Sequence, residues 1–293
     1  MKSLIRHIAV AAAALIAGAA TVSPVAAQPA GNVVVFGDSF ASNPDQYKNS
    51  ALNVIGGSSL SSTSSTSSMR ILNSYPSQDA CLQAPNNWPR QLEARTGIAV
   101  ADWSCTGQMS KQLPGHIDKA VRAGDLNRNT RAVTLAIGIN DQWRPLIDNP
   151  GARYIADEIR AAYLHNMRVA AAKIRAAAPN AKIIIPGLLS ITGGRDGAVC
   201  FFNVVPNLPL GVPAPTVGQW ERRTQDNQRA AAQQIGATFL DIRAASAGHS
   251  TCARDADRWV AGLIDTTTAD YNMVFHPSRA GSAFVADQVA RAL

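Results

Sequence analysis

Five short apolar runs constrain this chain more than any other feature: Val33–Phe36, Ile98–Ala101, Val133–Ile137, Ile183–Ile185 and Thr238–Leu240. Most are β-branched and continuous rather than alternating between apolar and polar. That pattern belongs to strands covered on both faces, as in a parallel sheet flanked by helices. Helical patterns lie between them. The clearest runs from about Ala152 to Ala178, with Ile155, Ile159, Tyr163, Met167, Ala170 and Ile174 at helical spacing before Pro179-Asn180 ends it. A second is expected over Gln219 to Ile235, followed by Gly236, and a last one begins at Ser278, a good N-cap. Strand and helix alternating in this way predict a three-layer α/β fold with a five-stranded parallel sheet, in which ligands bind at the carboxyl ends of the strands.

The first 27 residues read as a removable export signal. Lys2, Arg6 and His7 form a basic start, Ile8 to Ala20 is a short apolar run, and Val25-Ala26-Ala27 offers small residues for cleavage. The run is short for a membrane anchor, which needs about 20 apolar residues. The expected organisation is therefore a signal peptide, 1–27, and one domain, 28–293. Without Lys2 and Arg6, 25 basic residues face 20 acidic ones, a net charge of about +5. These charges are dispersed, with no basic run and no interleaved aromatics of a nucleic-acid footprint. They suit solubility and peripheral contact with anionic envelope lipid or polymer, and a secreted or envelope-associated monomer is expected.

Cys81, Cys105, Cys200 and Cys252 remain after export. An even number in an exported chain favours two disulfides over metal ligation, and no two cysteines have metal-knuckle spacing. Three connectivities are open. The sequential one, Cys81–Cys105 with Cys200–Cys252, is favoured because each bond would close one surface excursion. Ser58 to Ser68 is Ser/Thr apart from Leu60 and reads as a loop; residues 203–218, with Pro206, Pro209, Pro213 and Pro215, read as a stiff extended excursion beside the site.

Three segments carry the chemistry. Gly37-Asp38-Ser39 follows the first strand, Gly138-Ile139-Asn140-Asp141 follows the third, and His276-Pro277 precedes the last helix. Each alone is ordinary: Asp-Ser is a common turn and helix cap, Asn-Asp a common turn, and a lone histidine is more often structural. Together they supply a nucleophile, an oxyanion donor and a base, the set that acyl transfer requires. Gly107, after Ser104-Cys105-Thr106, could bring a backbone N–H close to a substrate. His116, His165 and His249 lack a matching partner, which leaves His276 to meet Ser39. Asp38 and Asp141 are expected to act through turn and cap hydrogen bonds. Trp143 and Arg144 are candidates either for the pocket wall or for plain surface.

These blocks resemble the SGNH hydrolase, or GDSL-type, esterase and lipase family over essentially the whole chain from Val33 to the last helix. Asn87-Trp88-Pro89 with Leu92, and Asp102-Trp103-Ser104-Cys105-x-Gly107, are most similar to its secreted, disulfide-bonded actinobacterial members. The resemblance implies a flavodoxin-like fold with no metal or organic cofactor. It also implies Ser39 as nucleophile, His276 as base, and an oxyanion hole from the N–H groups of Ser39 and Gly107 with the Asn140 side chain. One departure stands out: family members usually have aspartate three residues before the histidine, where this chain has Met273. The expectation is a Ser39–His276 dyad with the Met273 carbonyl orienting the imidazole, Asp270 and then Asp265 being the substitute carboxylates. The expected reaction is hydrolysis of lipid or short-chain acyl esters. Transfer to an envelope alcohol and deacetylation of a polysaccharide use the same site, and a non-catalytic binding role would be the reading from another class. A content of 6% aromatics argues against a long sugar-stacking cleft.

Overall fold

The computed structural model describes residues 31–50, 74–149, 151–193 and 197–293. The expected export signal and the Ser58–Ser68 loop lie outside the described residues. In chain order the elements are β1 (Val33–Gly37), α1 (Ser39–Ser42), β2 (Ser77–Gln78), β3 (Cys81–Leu82), α2 (Trp88–Thr96), β4 (Val100–Asp102), α3 (Leu113–Ala123), β5 (Ala132–Ala136) and α4 (Ile139–Asp148). Then follow α5 (Ala156–Ala177), β6 (Lys182–Pro186), β7 (Ala198–Asn203), β8 (Leu210–Pro213), α6 (Pro215–Ile235), β9 (Thr238–Leu240), α7 (Ile242–Ala245), β10 (Ile264–Asp265) and α8 (Arg279–Ala292).

The main sheet is five-stranded and parallel, in the order β4-β1-β5-β6-β9. Alternation along β1 explains why it is apolar throughout. Val34 and Phe36 pack on one side with Leu113 and Ile117 of α3, Tyr163 and Met167 of α5, and Ile235 of α6. Val33 and Val35 pack on the other with Trp88 and Leu92 of α2 and Val285 and Val289 of α8. A strand with helices on both faces has no polar side to show.

This order is the doubly wound 2-1-3-4-5 arrangement, whose switch point lies where the second and third strands leave β1 in opposite directions. Here that point lies between β1 and β5, with Gly37 in register with Ala136. Segments leaving these two strand ends therefore share one rim.

The predicted excursion at 203–218 is partly regular. Leu210–Pro213 pairs with β7 as an antiparallel strand, and Pro215 opens α6 four residues before the expected helix start. Proline serves well there because the first-turn N–H it lacks would have no intrahelical partner. The disulfides are Cys81–Cys105 and Cys200–Cys252, the sequential pairing.

Candidate active site

β1 turns into α1 through Asp38, whose extended backbone and side chain cap the helix: Oδ1 accepts from Phe40 N at 2.9 Å. The turn folds tightly onto its strand. A Cβ on Gly37 would fall 2.5 Å from the Ala41 Cβ, so glycine is required by close approach rather than by φ. α1 is a single turn closed by Asn43 in the left-handed region (φ 40°). Ser39 is thereby held at the end of β1.

Ser39 Oγ lies 2.8 Å from His276 Nε2. The other ring nitrogen, Nδ1, lies 2.7 Å from the Val274 carbonyl. A carbonyl can only accept, so Nδ1 carries the proton and Nε2 presents a lone pair to the serine hydroxyl. The orienting carbonyl is thus that of Val274, not of Met273. The reason is local geometry. Phe275 has φ 59°, which doubles the chain back so that the oxygen two residues before the ring meets Nδ1. Phe275 is held in this unfavourable conformation by donating to the Ala261 carbonyl at 3.1 Å, while the His276 carbonyl accepts from Ala261 N at 3.1 Å.

The substitute carboxylates are occupied elsewhere. Asp265 is buried and accepts from Gly262 N, Asn203 Nδ2 and Thr268 Oγ1. Asp270 forms an exposed ion pair with Arg279 at 3.3 Å. Burial pushes the His276 imidazole down from its ordinary 6.5 to about 4, against the smaller upward pull of the Val274 carbonyl. The ring therefore rests as a neutral base at physiological pH.

Asn140 sits in the first turn of α4, beyond β5, and gives one amide N–H to the Gln108 carbonyl at 3.0 Å. The second N–H has no partner among the described residues, and Asn140 lines the same cleft as Ser39 and His276. Gly107 is drawn beside β1 by the bond from Cys105 N to the Gly37 carbonyl at 2.9 Å. It has φ 76°, and a Cβ there would meet Arg144 Nη1 at 2.2 Å. Gly107 does not itself line the cleft. Asp141 accepts from both Ser110 Oγ (2.6 Å) and Ser110 N (3.0 Å), tying α4 to the 105–110 turn. Of the neighbouring pair, Trp143 lines the cleft, whereas Arg144 turns toward Gly107 and Asp148.

The cleft encloses about 520 Å³. Besides Trp143, its apolar wall includes Phe40, Ile191, Val199, Phe201 and Trp220. Buried Glu221 fixes part of that wall by accepting from Ile191 N and from Thr192. Sequence reasoning missed these walls and also the clamp on the histidine loop. Gln46 Oε1 accepts from Val274 N at 3.0 Å, Gln46 N donates to the Asn272 carbonyl at 3.0 Å, and Asn43 Nδ2 donates to the Pro277 carbonyl at 2.9 Å. The Phe40 ring packs 4.9 Å from the imidazole. Only Phe40, next to the serine, carried a local signal. His249 lies elsewhere, stacked on Trp259 at 3.5 Å.

The sequence profile of the GDSL-like Lipase/Acylhydrolase family matches residues 35–284. The chain belongs to this family. It is 28% identical over 215 residues to Lipase 2 of Streptomyces coelicolor, covering 64% of this chain and 70% of that protein. Among solved structures it resembles phospholipase A1 from Streptomyces albidoflavus (TM-score 0.56, 18% identity, 90% of this chain and 98% of that one). It also resembles an extracellular lipase from Streptomyces rimosus (TM-score 0.56, 15% identity, 90% and 99%). This GDSL-family protein is a carboxylic ester hydrolase with an α/β fold.

Proposed function

We propose that this protein is an exported single-domain esterase or lipase that works through a Ser39 acyl-enzyme. Ser39 Oγ attacks the ester carbonyl carbon as its proton passes to His276 Nε2. The resulting oxyanion is held by the Asn140 amide and the backbone N–H of Ser39, the two candidate donors that line the cleft. His276 then gives the proton to the departing alcohol, and the C–O bond to that alcohol breaks. Water repeats the sequence: His276 takes its proton, the hydroxide adds to the acyl carbon, and the carboxylic acid leaves as Ser39 recovers its hydrogen. The Val274 carbonyl takes the orienting part of the usual third member, holding the tautomer and partly offsetting the imidazolium charge.

The observation that carries this reading is the 2.8 Å Ser39–His276 contact, with Nδ1 already committed to a carbonyl, at the floor of an apolar cleft. The make-up of the cleft supports one substrate class over the other. The chain's aromatics are few, but Phe40, Trp143, Phe201 and Trp220 are concentrated here, so overall composition is a poor guide to the site. Among the described residues only Gln46 and Ser50 add polar side chains to the lining beyond Ser39, Asn140 and His276, fewer than a sugar's hydroxyls would need, which favours an acyl chain as occupant. The two disulfides, and the likeness to a Streptomyces rimosus lipase described as extracellular, support export. The test is hydrolysis of nitrophenyl esters from acetyl to palmitoyl by the protein and by Ser39→Ala. Turnover abolished in the variant is expected, with a preference for chains longer than acetyl. Equal turnover by the folded variant would overturn the assignment.

A further inference from the structure

Residues 197–220, 24 in succession, include no charged side chain. They form the β7–β8 hairpin and the first turns of α6, and Val199, Phe201, Val217 and Trp220 from this stretch line the cleft. The hairpin register shows where its remaining apolar groups point. Val199 lies opposite Val212, and Phe202 lies opposite Leu210. Residues directly opposite share a face, as do alternate residues along one strand. Leu210 and Val212 therefore continue outward the face on which Val199 walls the cleft. Ile264 of β10 is in register with Phe202 on its other side. The result is a row across three strands, Ile264, Phe202 and Leu210, which are 51%, 45% and 49% exposed. Val205 and Leu208 extend it at the hairpin tip, at 45% and 54%.

This apolar face is rigidly supported from behind. The opposite face lies on the Cys200–Cys252 disulfide, so close that a Cβ on Gly211 would fall 2.6 Å from the Cys200 sulfur. Asn203 is buried and donates to Asp265 at 2.9 Å. At the tip Asn207 N donates to Asp255 Oδ2 at 2.9 Å, and Asp255 N donates back to Asn207 Oδ1 at 3.3 Å. A hairpin so anchored loses little conformational entropy when something covers it.

We propose that this face seats the enzyme on a lipid surface. Its apolar groups enter the outer acyl region beside the mouth of the cleft, so that an ester chain passes from the aggregate to Ser39 without crossing water. Delivery to Ser39 rests on the esterase reading; the docking does not. Strand addition by a second copy is disfavoured because the sheet's edge strands are short: β10 has two residues, and β8 has four, with Pro209 before it and Pro213 at its end. A fluid acyl layer demands no backbone partners, and the positive net charge adds attraction for anionic headgroups.

The test uses the Ser39→Ala protein, which cannot consume its target. Binding is measured by co-sedimentation with phosphatidylcholine vesicles, with and without phosphatidylglycerol, at low and high salt. Ser39→Ala should bind both, retain binding to the zwitterionic vesicles in high salt, and bind at least tenfold more weakly once Val205→Ser, Leu208→Ser and Ile264→Ser are added. The same three changes beside the native Ser39 should leave hydrolysis of dissolved nitrophenyl acetate unaltered while slowing that of a vesicle-borne ester. Circular dichroism verifies that the exposed substitutions leave the fold intact. Absence of vesicle binding, or binding indifferent to the three changes, would overturn the proposal. So would a lipid-free dimer that the same changes dissociate. Vesicle binding lost in the variant, alongside a protein that hydrolyses no ester, would leave docking standing and sink the esterase reading instead.

Discussion

The acid limit of activity is the sharpest test of a dyad oriented by a carbonyl. In the proposed mechanism ester attack requires neutral His276, whose pKa burial lowers from 6.5 to about 4. That change corresponds to ~3 kcal/mol against the imidazolium. At pH 5.5 a group titrating near 4 is about 97% neutral, whereas an ordinary histidine is about 9% neutral, a difference of about tenfold in competent enzyme. The assay is kcat/KM for dissolved nitrophenyl acetate between pH 3.5 and 8, followed at the isosbestic wavelength of nitrophenol. It reports groups of the free enzyme. Activity should be nearly flat from pH 7.5 to 5.5 and fall only towards 4. Folding must be followed in parallel. Between about 6.5 and 4 the unfolded chain binds the His276 proton and the folded chain does not, so this group's contribution to stability decreases as pH falls through that window. An acid limb centred between 6 and 7, with circular dichroism unchanged, would refute the reasoning.

Two further outcomes are expected. Asn140→Ala should lower kcat about 100- to 1,000-fold with little change in KM, as loss of one oxyanion donor does elsewhere; a loss under tenfold would remove Asn140 from the site. Asp38→Asn should stabilise the protein at alkaline pH, because burial pushes the Asp38 carboxyl up to about 7 from 3.8. The unfolded chain releases that proton near 4 and the folded chain near 7, so ionisation costs stability progressively across that interval and fully above it. Asparagine keeps an oxygen for Phe40 N and cannot ionise. The variant's melting temperature should rise at pH 8 and stay nearly unchanged at pH 4, and a fall at pH 8 would contradict the buried-carboxyl account.

Legibility followed burial and locality. The five strands could be read because both faces of each are covered, which leaves continuous apolar runs. Ser39 and Asn140 could be placed on one rim because each closely follows such a run. Element ends were less legible. Ile155 fits the helical spacing of α5 yet stands outside it as an extended cap residue, 39% exposed, so its periodicity is not matched by burial. The orienting carbonyl was misassigned by one residue because the choice between Met273 and Val274 depends on the backbone angle at Phe275. That angle is held by Ala261 and, through Val274, by Gln46, neither of which marks its role in the sequence.

The residues read in order were enough for the layered α/β class, the succession of the strands along the chain, and the candidates for nucleophile, oxyanion donor and base. These follow from local periodicity and from side-chain chemistry that a residue keeps in any context. Tertiary structure alone decided the 2-1-3-4-5 strand order, the tautomer and depressed basicity of His276, the walls of the cleft, and the continuation of one wall into an exposed apolar face. Each of these depends on groups far apart in the chain meeting at a distance of a few ångströms, where hydrogen bonds and desolvation act, and periodicity within one segment carries no record of such meetings.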